Sequence, residues 1–263
     1  FHNSLRWTNM GGFAQARYEV GTLFGQEDHF INLGARYHNN SNYGASTTLR
    51  GGYVAWIDPI NIKILGGQSF QEPSAKQLYG SWGASSTNAN LSPETSSTVE
   101  AVIDYPSKNF SLTINPYLVQ VTDVIVEVDE GPANVGERQV IGGDVFIRTQ
   151  MSLGSIGRLR GWVNYGYTDA NDTIVDSATE ELTDETERVG DIALHKVNFG
   201  ITGIFLDDDL SVNIRGRYVA DRENPHSAVL KTDGFFTADA NILYRNFMVD
   251  GLGLSLKVNN ILD

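Results

Sequence analysis

Segments in which polar and apolar residues alternate recur along almost the whole chain. The stretch 209–221 shows this best: one side carries Leu210, Val212, Ile214, Gly216 and Tyr218, and the other carries Ser211, Asn213, Arg215 and Arg217. A period of two residues is typical of a β-strand whose two faces meet different surroundings. The polar side carries Arg, Asp, Lys or Gln on nearly every segment, and the apolar side often ends in Tyr or Trp. The pattern predicts an all-β chain.

About twelve such segments are present, each close to the ~9–11 residues that a tilted membrane-spanning strand needs. We place them near 13–21, 29–38, 47–58, 60–70, 96–106, 110–128, 138–152, 158–169, 196–206, 209–221, 235–246 and 252–262. Helical structure is expected only as a turn near 75–78 and another within 178–187.

The connections between these segments alternate in length. Short ones lie at 58–59, 106–109, 153–157, 207–208 and 247–251, and long ones at 39–46, 71–95, 129–137, 170–195 and 222–234. The first connection, 22–28, is of middling length in a short position. An antiparallel transmembrane β-barrel with short turns on one side and longer loops on the other must show this order. A soluble β-sandwich has no reason to sort its loops by side, so the pattern favours the antiparallel transmembrane β-barrel.

Composition narrows the function classes further. The chain has 263 residues, no Cys and a formal net charge of −13. The acidic balance argues against nucleic acid as a partner, because no basic stripe is available to neutralise phosphates. No apolar run approaches the ~20 residues of a membrane-spanning helix. Membrane-spanning β-strands escape such a search, because only alternate residues face lipid.

Two sequence motifs connect the chain to a known family. The first runs from a strand end into a polar loop and back into a strand. It consists of Phe70, Pro73, Ser74, Leu78, Tyr79, Leu91, Pro93, Glu94 and Ser96, and the Asn that precedes Leu91 in the motif is Asn88 or Asn90. The second is the run 258–263, Val-Asn-Asn-Ile-Leu-Asp. In this order and spacing the motifs resemble the barrel of TonB-dependent outer-membrane receptors.

The resemblance implies a fold and a function. The family has a 22-stranded barrel, so the chain is expected to be about twelve strands from the C-terminal portion, over residues 1–263. The plug domain, the TonB-contact segment and the final strand are expected to lie outside it. The implied function is a receptor in the bacterial outer membrane that imports a scarce ligand, such as a ferric siderophore, cobalamin or a glycan, with energy from TonB. The implied partners are TonB, the plug domain in the lumen, the small-molecule ligand, and outer-membrane lipid and lipopolysaccharide.

Ligand contacts in the family come from external loops, the inner wall and the plug. Aromatic and Arg side chains are effective anchors for binding. The residues of that kind in predicted external loops, or at their bases, are Tyr43, Tyr79, Trp82, Arg138, Arg222 and His226. Each could instead serve the aromatic girdle or the packing of its own loop. A second set is predicted to face the lumen and, as the family implies, to hydrogen-bond the plug: Arg50, Lys63, Arg148, Arg160, Arg215, Arg217 and Arg245.

Other polar clusters in the sequence give weaker support for a functional site. The segment 170–195 is rich in Asp and Glu, which would suit divalent cations or a charged rim, but it has no EF-hand pattern and is interpreted as a solvated loop. The three Asp residues at 207–209 favour a turn. The five His residues form no metal-binding spacing and no Gly-x-Ser-x-Gly elbow occurs, so we expect no catalytic residue, no resident metal and no cofactor. A self-contained barrel of about twelve strands, acting as a passive porin, an exporter or a rim enzyme (His195 beside Asp191), is the alternative.

Overall fold

The computed structural model describes residues 7–22, 29–80, 86–224 and 230–262. Within them β-structure dominates, and the helical elements are one short α-helix and one 3-10 turn. The strands are β1 (Asn9–Glu19), β2 (His29–Asn40), β3 (Gly44–Ile57), β4 (Ile60–Gln71), β5 (Glu94–Pro106), β6 (Phe110–Val128), β7 (Gly131–Ser152), β8 (Gly157–Asp176), β9 (Glu181–Arg188), β10 (His195–Phe205), β11 (Leu210–Val219), β12 (Arg222–Glu223), β13 (Lys231–Thr232), β14 (Phe235–Tyr244) and β15 (Leu254–Val258). The helix is α1 (Ala75–Tyr79), and the 3-10 turn is Gly154–Ile156.

One antiparallel sheet contains nearly all of these strands. Its order is β1-β2-β3-β4-β5-β6-β7-β8-β10-β11-β14-β15, with β9 paired to β8 outside this path, while β12 and β13 form a separate small pair. The twelve strands of the path coincide with the twelve alternating segments of the sequence, which confirms the predicted all-β antiparallel fold. None of the helices among the described residues is long and apolar enough to cross a membrane.

The register keeps polar and apolar side chains on opposite faces across the whole sheet. Asn213 lies between Thr202 and Asn241, and Arg215 lies opposite Asp239 on the same face. On the other face Ile214 lies between Ile201 and Ala240. This second, apolar face leaves large side chains exposed along the path strands, among them Met10, Leu33, Leu49, Ile64, Val99, Leu118, Ile141, Val163, Ile201, Ile214, Ile242 and Leu256. Soluble monomers rarely expose so continuous an apolar surface, so this face requires an apolar environment.

Glycines on one strand make room for large side chains from the next. Tyr117 of β6 lies over Gly142 of β7, where an added Cβ would be 2.3 Å from the ring. Trp162 of β8 lies in the same way over Gly200 of β10, with 2.6 Å to such a Cβ. The polar face therefore contains bulky rings that lie along the sheet, and the absence of a side chain on the neighbouring strand is a packing requirement.

Three predicted connections are wrong, and all fall at the edge where long loops were expected. Residues 39–46 were expected to be a loop, but β2 and β3 pair as far as Asn40 and Gly44 and leave only the turn 41–43. Residues 129–137 were expected to be a loop, but β6 and β7 continue pairing up to Val128 and Gly131 and leave a tight turn between them. Residues 170–195 were expected to be a solvated loop with a helical turn at 178–187. Instead β8 continues to Asp176 and pairs with β9, so an acidic β-hairpin projects from the sheet.

Local hydrogen bonds explain the hairpin. The Asp176 carboxylate accepts hydrogen bonds from the backbone N–H groups of Ala178 and Thr179 at 2.9 and 3.1 Å, which fixes the turn. Glu180 then adopts a positive φ of 58° and donates its N–H to the Asp176 carbonyl. Thr183 donates its hydroxyl back across the pair to the Ile174 carbonyl at 2.9 Å. An Asp that caps its own turn favours a reversal here rather than a helix.

The two ends of the sheet are not joined to each other. Among the described residues β1 pairs only with β2, and β15 pairs only with β14. The closed twelve-stranded pore, which the alternative of a self-contained small barrel requires, is therefore not formed by the part of the chain that the structure describes.

Candidate functional site

The connections that the sequence predicted to be long meet at one edge of the sheet, which we call the loop edge. It comprises residues 41–43, 72–93, 129–130, 177–194 and 220–234, apart from the residues outside the described ranges. Few apolar side chains in the structure are fully buried, and several of them lie at or next to this edge: Tyr43, Leu78, Leu91, Val128, Ala193 and Ala220. The loop edge therefore has packing of its own, and it carries the predicted ligand-contact residues.

The connection 72–93 folds against the β6–β7 hairpin. Ser74 caps α1: its Oγ accepts from the Gln77 N–H at 3.2 Å, and the Gln77 Oε1 accepts from the Ser74 N–H at 2.8 Å. This capping box begins the helix directly after Pro73 and presents Leu78, which is 1% exposed, to the interior of the connection. The Pro-Ser-x-x-x-Leu part of the family motif thus has a structural role.

Hydrogen bonds attach the second half of this connection to the hairpin. The Asn88 amide donates to the Pro132 carbonyl at 3.0 Å. The Asn134 side chain accepts from the Ser92 N–H and donates to the Ser92 carbonyl, both at 2.9 Å. Leu91 is buried between these attachments. The connection is thereby held over the β6–β7 end of the sheet.

Tyr43 lies in the turn between β2 and β3 and is 6% exposed. Its hydroxyl is 3.3 Å from the His38 Nε2, which in turn is 3.8 Å from the Glu72 carboxylate. Burial of the phenol, assisted by the nearby Glu72 carboxylate, raises the pKa of Tyr43 to about 12. The structure therefore gives Tyr43 one partner from strand β2 and one from the connection 72–93. His38 and Glu72, which the sequence did not single out, complete this cluster.

Arg138 lies on the polar face of β7, beside Asp172 of β8. Its Nε and Nη2 donate to the two carboxylate oxygens of Asp172 at 2.6 and 2.8 Å, a bidentate pair that is half-buried. Further along the same face, the Tyr117 hydroxyl is 3.1 Å from the Thr168 Oγ1. The charge of Arg138 is thus neutralised within the chain, and its guanidinium is held in a fixed orientation.

The remaining predicted contacts are distributed along the loop edge. Tyr79 ends α1 and is 40% exposed, so it is available to a ligand. Arg222 is half-buried in β12, next to the pair formed by Asp221 and Lys231 at 2.8 Å. Trp82 and His226 lie outside the described residues. No hydrogen bond, ion pair or ring contact joins any two of Tyr43, Tyr79, Arg138 and Arg222 in the described part of the chain, so their joint role stays a prediction.

The seven predicted lumen cations divide into paired and unpaired groups. Arg50 donates to the Gln15 side chain at 2.6 Å, Lys63 is 3.8 Å from Asp104, and Arg215 is 2.7 Å from Asp239. Arg245 lies just after β14 and is 3.5 Å from the Asp208 carbonyl. Arg148, Arg160 and Arg217 form no ion pair with a described residue. All of the seven except Arg245 lie within strands, and the strand register places these six on the polar face, as predicted from alternation.

The described residues contain neither a cluster placed to hold a metal ion nor a contact between His195 and Asp191. No group of three or more His, Asp or Glu side chains in the described ranges is placed to hold a metal ion. His195 contacts the Tyr165 hydroxyl at 2.9 Å, and Asp191 accepts from the Asn224 amide at 2.7 Å, so the imagined His195–Asp191 pair is not formed. Asp208 and Asp209 bind Arg158 and Asn246 in a short turn, which confirms the turn predicted at 207–209.

Comparison with known proteins identifies the family. A family model described as "TonB dependent receptor-like, beta-barrel" matches residues 3–261. The chain belongs to this family. No curated protein matches the sequence.

Solved structures of import receptors and transporters have the same fold. The ferric-catecholate import receptor Fiu from E. coli K12 superimposes with a TM-score of 0.74 at 17% identity, over 98% of this chain and 40% of that one. The FrpB iron transporter from Neisseria meningitidis gives 0.71 at 15% identity, over 97% and 41%. The siderophore receptor PiuA from Acinetobacter baumannii gives 0.69 at 17% identity, over 89% and 37%. The chain thus spans about two fifths of the length of these structures.

Family membership assigns the two faces of the sheet. The fold is part of an antiparallel transmembrane β-barrel, in which the outward face is apolar and the inward face is polar. The exposed face with Leu33, Ile64 and Ile214 therefore meets lipid. The opposite face, with Arg138, Asp172 and Arg215, lines the lumen, and we call it the lumen face from here on.

Proposed function

We propose that the protein is an outer-membrane receptor that imports a scarce ligand into a Gram-negative bacterium with energy supplied through TonB. The observation that carries this proposal is the family match over residues 3–261, together with a sheet that presents a continuous apolar face to lipid and a charged face to the lumen. Ferric siderophores are the first ligand class to test, because related structures include a ferric-catecholate import receptor and a siderophore receptor. Cobalamin and glycans are the further classes.

In this proposal the parts of the chain have separate tasks. The loop edge captures the ligand, with Tyr79, Arg222, Trp82 and His226 as contacts, while Tyr43 and Arg138 position the connections and the wall around it. Tyr79 is supported by its exposure, and Arg138 by its fixed guanidinium. A plug domain outside residues 1–263 would close the lumen, and TonB would act on that part of the protein. The chain itself performs no bond chemistry.

Uptake by the full-length protein tests the proposal. The protein would be produced in a Gram-negative strain that lacks its own siderophore receptors, and entry of radioactive iron bound to a panel of siderophores would be measured under iron limitation. We expect uptake of at least one chelate, lost when the tonB gene is deleted. Uptake that persists without TonB, or free passage of small sugars through the protein in liposomes, would instead show a passive pore.

The ligand contacts are tested in the same assay. Tyr79→Ala removes an exposed ring at the end of α1 and should raise the ligand concentration needed for half-maximal uptake. Tyr105→Ala removes a ring of similar exposure at the opposite end of the sheet and serves as the matched control. Equal effects of the two substitutions would exclude a specific role of Tyr79 in binding.

A further inference from the structure

A cavity lies at the edge of the sheet opposite the loop edge, between two neighbouring turns. Its volume is about 370 Å³. One of the turns, 153–156, joins β7 to β8, and the other, 206–209, joins β10 to β11. Six residues on these turns and at the adjoining strand ends give the cavity its chemistry: Met151, Ile156, Arg158, Phe205, Asp207 and Asp208. We call this space the turn cavity.

The backbone of both turns is constrained. Gly157 begins β8 next to the end of β10, and an added Cβ would lie 2.1 Å from the Ile204 carbonyl oxygen, so Gly is required for the two turns to approach. On the other turn Leu206, Asp207 and Asp208 adopt positive φ angles of 53°, 52° and 76°. Asp tolerates this region, but a branched apolar residue such as Leu rarely occupies it. Backbone strain of this kind is concentrated at functional sites, which makes the turn cavity a candidate for binding.

The charged groups of the turn cavity are only partly paired with each other. Arg158 donates from Nη2 to the Asp208 carboxylate at 2.8 Å. The Arg158 Nε is buried and has no hydrogen-bond acceptor among the described residues. Asp207 is exposed, and its carboxylate forms no hydrogen bond or ion pair within the described part of the chain. A buried donor without an acceptor is unfavourable, so the cavity favours a ligand that brings an acceptor for Arg158 and a cation for Asp207.

Apolar side chains connect the turn cavity to the lipid-facing side of the sheet. Met151 and Phe205 are the last lipid-facing residues of β7 and β10, and both line the cavity. Ile156 and Leu206 extend this apolar surface to the tips of the turns, where they are 68% and 54% exposed. The turn 107–109, Ser-Lys-Asn, has no apolar side chain at its tip. The surface that meets acyl chains therefore continues into the cavity, and a lipid is the occupant that fits both parts.

The position of the turn cavity in the membrane narrows the class of lipid. The short turns of transmembrane β-barrels lie on the periplasmic side, and the periplasmic leaflet of the outer membrane consists of phospholipids. We propose that the turn cavity binds a phospholipid whose head group carries both a phosphate and an ammonium group, as phosphatidylethanolamine does. Arg158 donates to the phosphate, Asp207 accepts from the ammonium, and the acyl chains lie on Met151 and Phe205.

Size and charge agree with this head group. The volume of about 370 Å³ lies within the ~300–1,000 Å³ of ordinary small-ligand sites. A head group with a phosphate but no ammonium would leave Asp207 without a cation and add a negative charge beside Asp207 and Asp208. The proposal goes beyond the proposed function, because it concerns a lipid that stays bound and not the ligand that is imported. It depends only on the family membership and on the assignment of the lipid-facing side.

Photolabelling of the full-length protein tests the site. The protein would be reconstituted into vesicles of phosphatidylglycerol with a trace of phosphatidylethanolamine that carries a diazirine near the glycerol end of one acyl chain. After illumination, mass spectrometry locates the labelled peptides. We expect labelling of 151–158 and 204–208 to exceed that of the β3–β4 turn, 57–60, by about tenfold, the preference that ~1.4 kcal/mol of specific binding produces. Labelling at equal levels in all turns would overturn the proposal.

Two variants remove the partners of the head group one at a time. Asp207→Asn removes the partner of the ammonium and keeps a residue that tolerates a positive φ, and Arg158→Gln removes the partner of the phosphate. Each should reduce the labelling of 151–158 and 204–208 to the level of the other turns. The matched controls are Asp250→Asn, in the neighbouring connection between β14 and β15, and Lys231→Gln, which breaks an ion pair of the same 2.8 Å length at the loop edge. Both controls should label like wild type, and losses as large as those of the cavity variants would refute the assignment.

Reversal of one charge gives the sharper test. Asp207→Lys replaces the carboxylate by a cation, so photoreactive phosphatidylglycerol should now label 151–158 and 204–208 more strongly than photoreactive phosphatidylethanolamine, whereas wild type should show the opposite order. Heat-modified mobility on gels shows that each variant still folds. An unchanged order in folded Asp207→Lys would show that the cavity does not distinguish head groups and would overturn the proposal. Binding of soluble O-phosphoethanolamine, seen by native mass spectrometry, without labelling by either lipid would show a site for a small soluble ligand and would also overturn it.

The two proposals fail in different ways. Iron uptake that requires TonB, with equal labelling of all turns, would refute the phospholipid site and leave the receptor function intact. Labelling confined to the turn cavity, without uptake of any ligand, would refute the transport function and leave the phospholipid site intact.

Discussion

At the residue scale, the lumen wall depends on glycines that lie beneath large side chains. Gly142→Ala would place a Cβ 2.3 Å from the Tyr117 ring and separate the Tyr117 hydroxyl from Thr168. Overpacking of this kind typically costs about 1–3 kcal/mol. We expect that loss in the free energy of unfolding of the full-length protein in detergent and urea. Gly12→Ala, with no atom within 4 Å of its added Cβ, should cost much less. Equal losses would show that the contact is not the cause.

A charge placed on the apolar, lipid-facing side of the sheet should destabilise the protein. Ile214 is exposed on the apolar face, between Ile201 and Ala240. Ile214→Arg places a charge toward the hydrocarbon and should lower the free energy of unfolding by about 2–4 kcal/mol near the bilayer midplane. Asn213→Arg on the lumen face should cost less, because the charge stays in the polar lumen and the losses are the hydrogen bonds to Thr202 at 2.7 Å and to the Ile201 carbonyl at 3.3 Å. Reversible folding into lipid vesicles measures both, and equal costs would reverse the assignment of the faces.

Tyr43 predicts a pH effect at the loop edge. Its pKa is raised from 10.0 to about 12, chiefly by burial. The neutral phenol is therefore favoured in the folded state, and its contribution to stability is complete below pH 10 and is lost as the pH rises toward 12. The difference in absorbance at 295 nm between wild type and Tyr43→Phe should show a titration near pH 12. A titration of Tyr43 near pH 10 would contradict its burial between His38 and Glu72.

At the element scale, alternation predicted the strands that cross the membrane and missed those that extend beyond it. The strand 209–221 was found because lipid and lumen impose opposite polarity on alternate residues. In the hairpin of β8 and β9, Ile174 and Val175 are adjacent and Leu182 lies between Glu181 and Thr183, so the sequence shows no apolar face there. The pairing of this hairpin depends on the turn that Asp176 caps, and this turn was not predicted because the many acidic residues were interpreted as a solvated loop.

The short helix α1 depends on the capping side chain of Ser74. Ser74→Ala removes the acceptor for the Gln77 N–H and should cost about 1 kcal/mol, as loss of an N-cap does. Because α1 positions Leu78 within the connection 72–93, hydrogen exchange of residues 75–80 in the full-length protein should accelerate. Ser74→Thr keeps the capping oxygen and should exchange nearly as slowly as wild type. Unchanged exchange in Ser74→Ala would show that the connection is held by its contacts with β6 and β7 alone.

The candidate site was predictable only in part, and the missing part has a physical reason. Tyr43 and Arg138 could be placed near external loops from their positions between strands. Their partners are set by pairing between distant segments: Asp172 meets Arg138 through the β7–β8 register, and Glu72 of the connection 72–93 lies near His38 of β2, which contacts Tyr43. A local pattern contains no information on such contacts. Burial of Tyr43 therefore emerged only from the fold.

At the scale of the whole molecule, the two outer strands decide what residues 1–263 can do alone. Within the described residues β1 and β15 each have a partner on one side only, so each carries backbone N–H and C=O groups without a partner on the other. In hydrocarbon each such group costs several kcal/mol, which is why membrane barrels have no free edge. We therefore expect strands from outside this chain, or from another copy, to cover both edges in lipid.

We expect that residues 1–263, produced alone and refolded in detergent, do not form a monomeric, heat-modifiable barrel and conduct no ions in planar bilayers. The full-length protein, refolded in the same way, provides the control for both measurements. Association of the shorter chain into larger species, seen by light scattering, would agree with edges that seek partners. A compact monomer with a stable conductance would require β1 to pair with β15, contrary to the register of the sheet, and would restore the small self-contained pore as the better description of this chain.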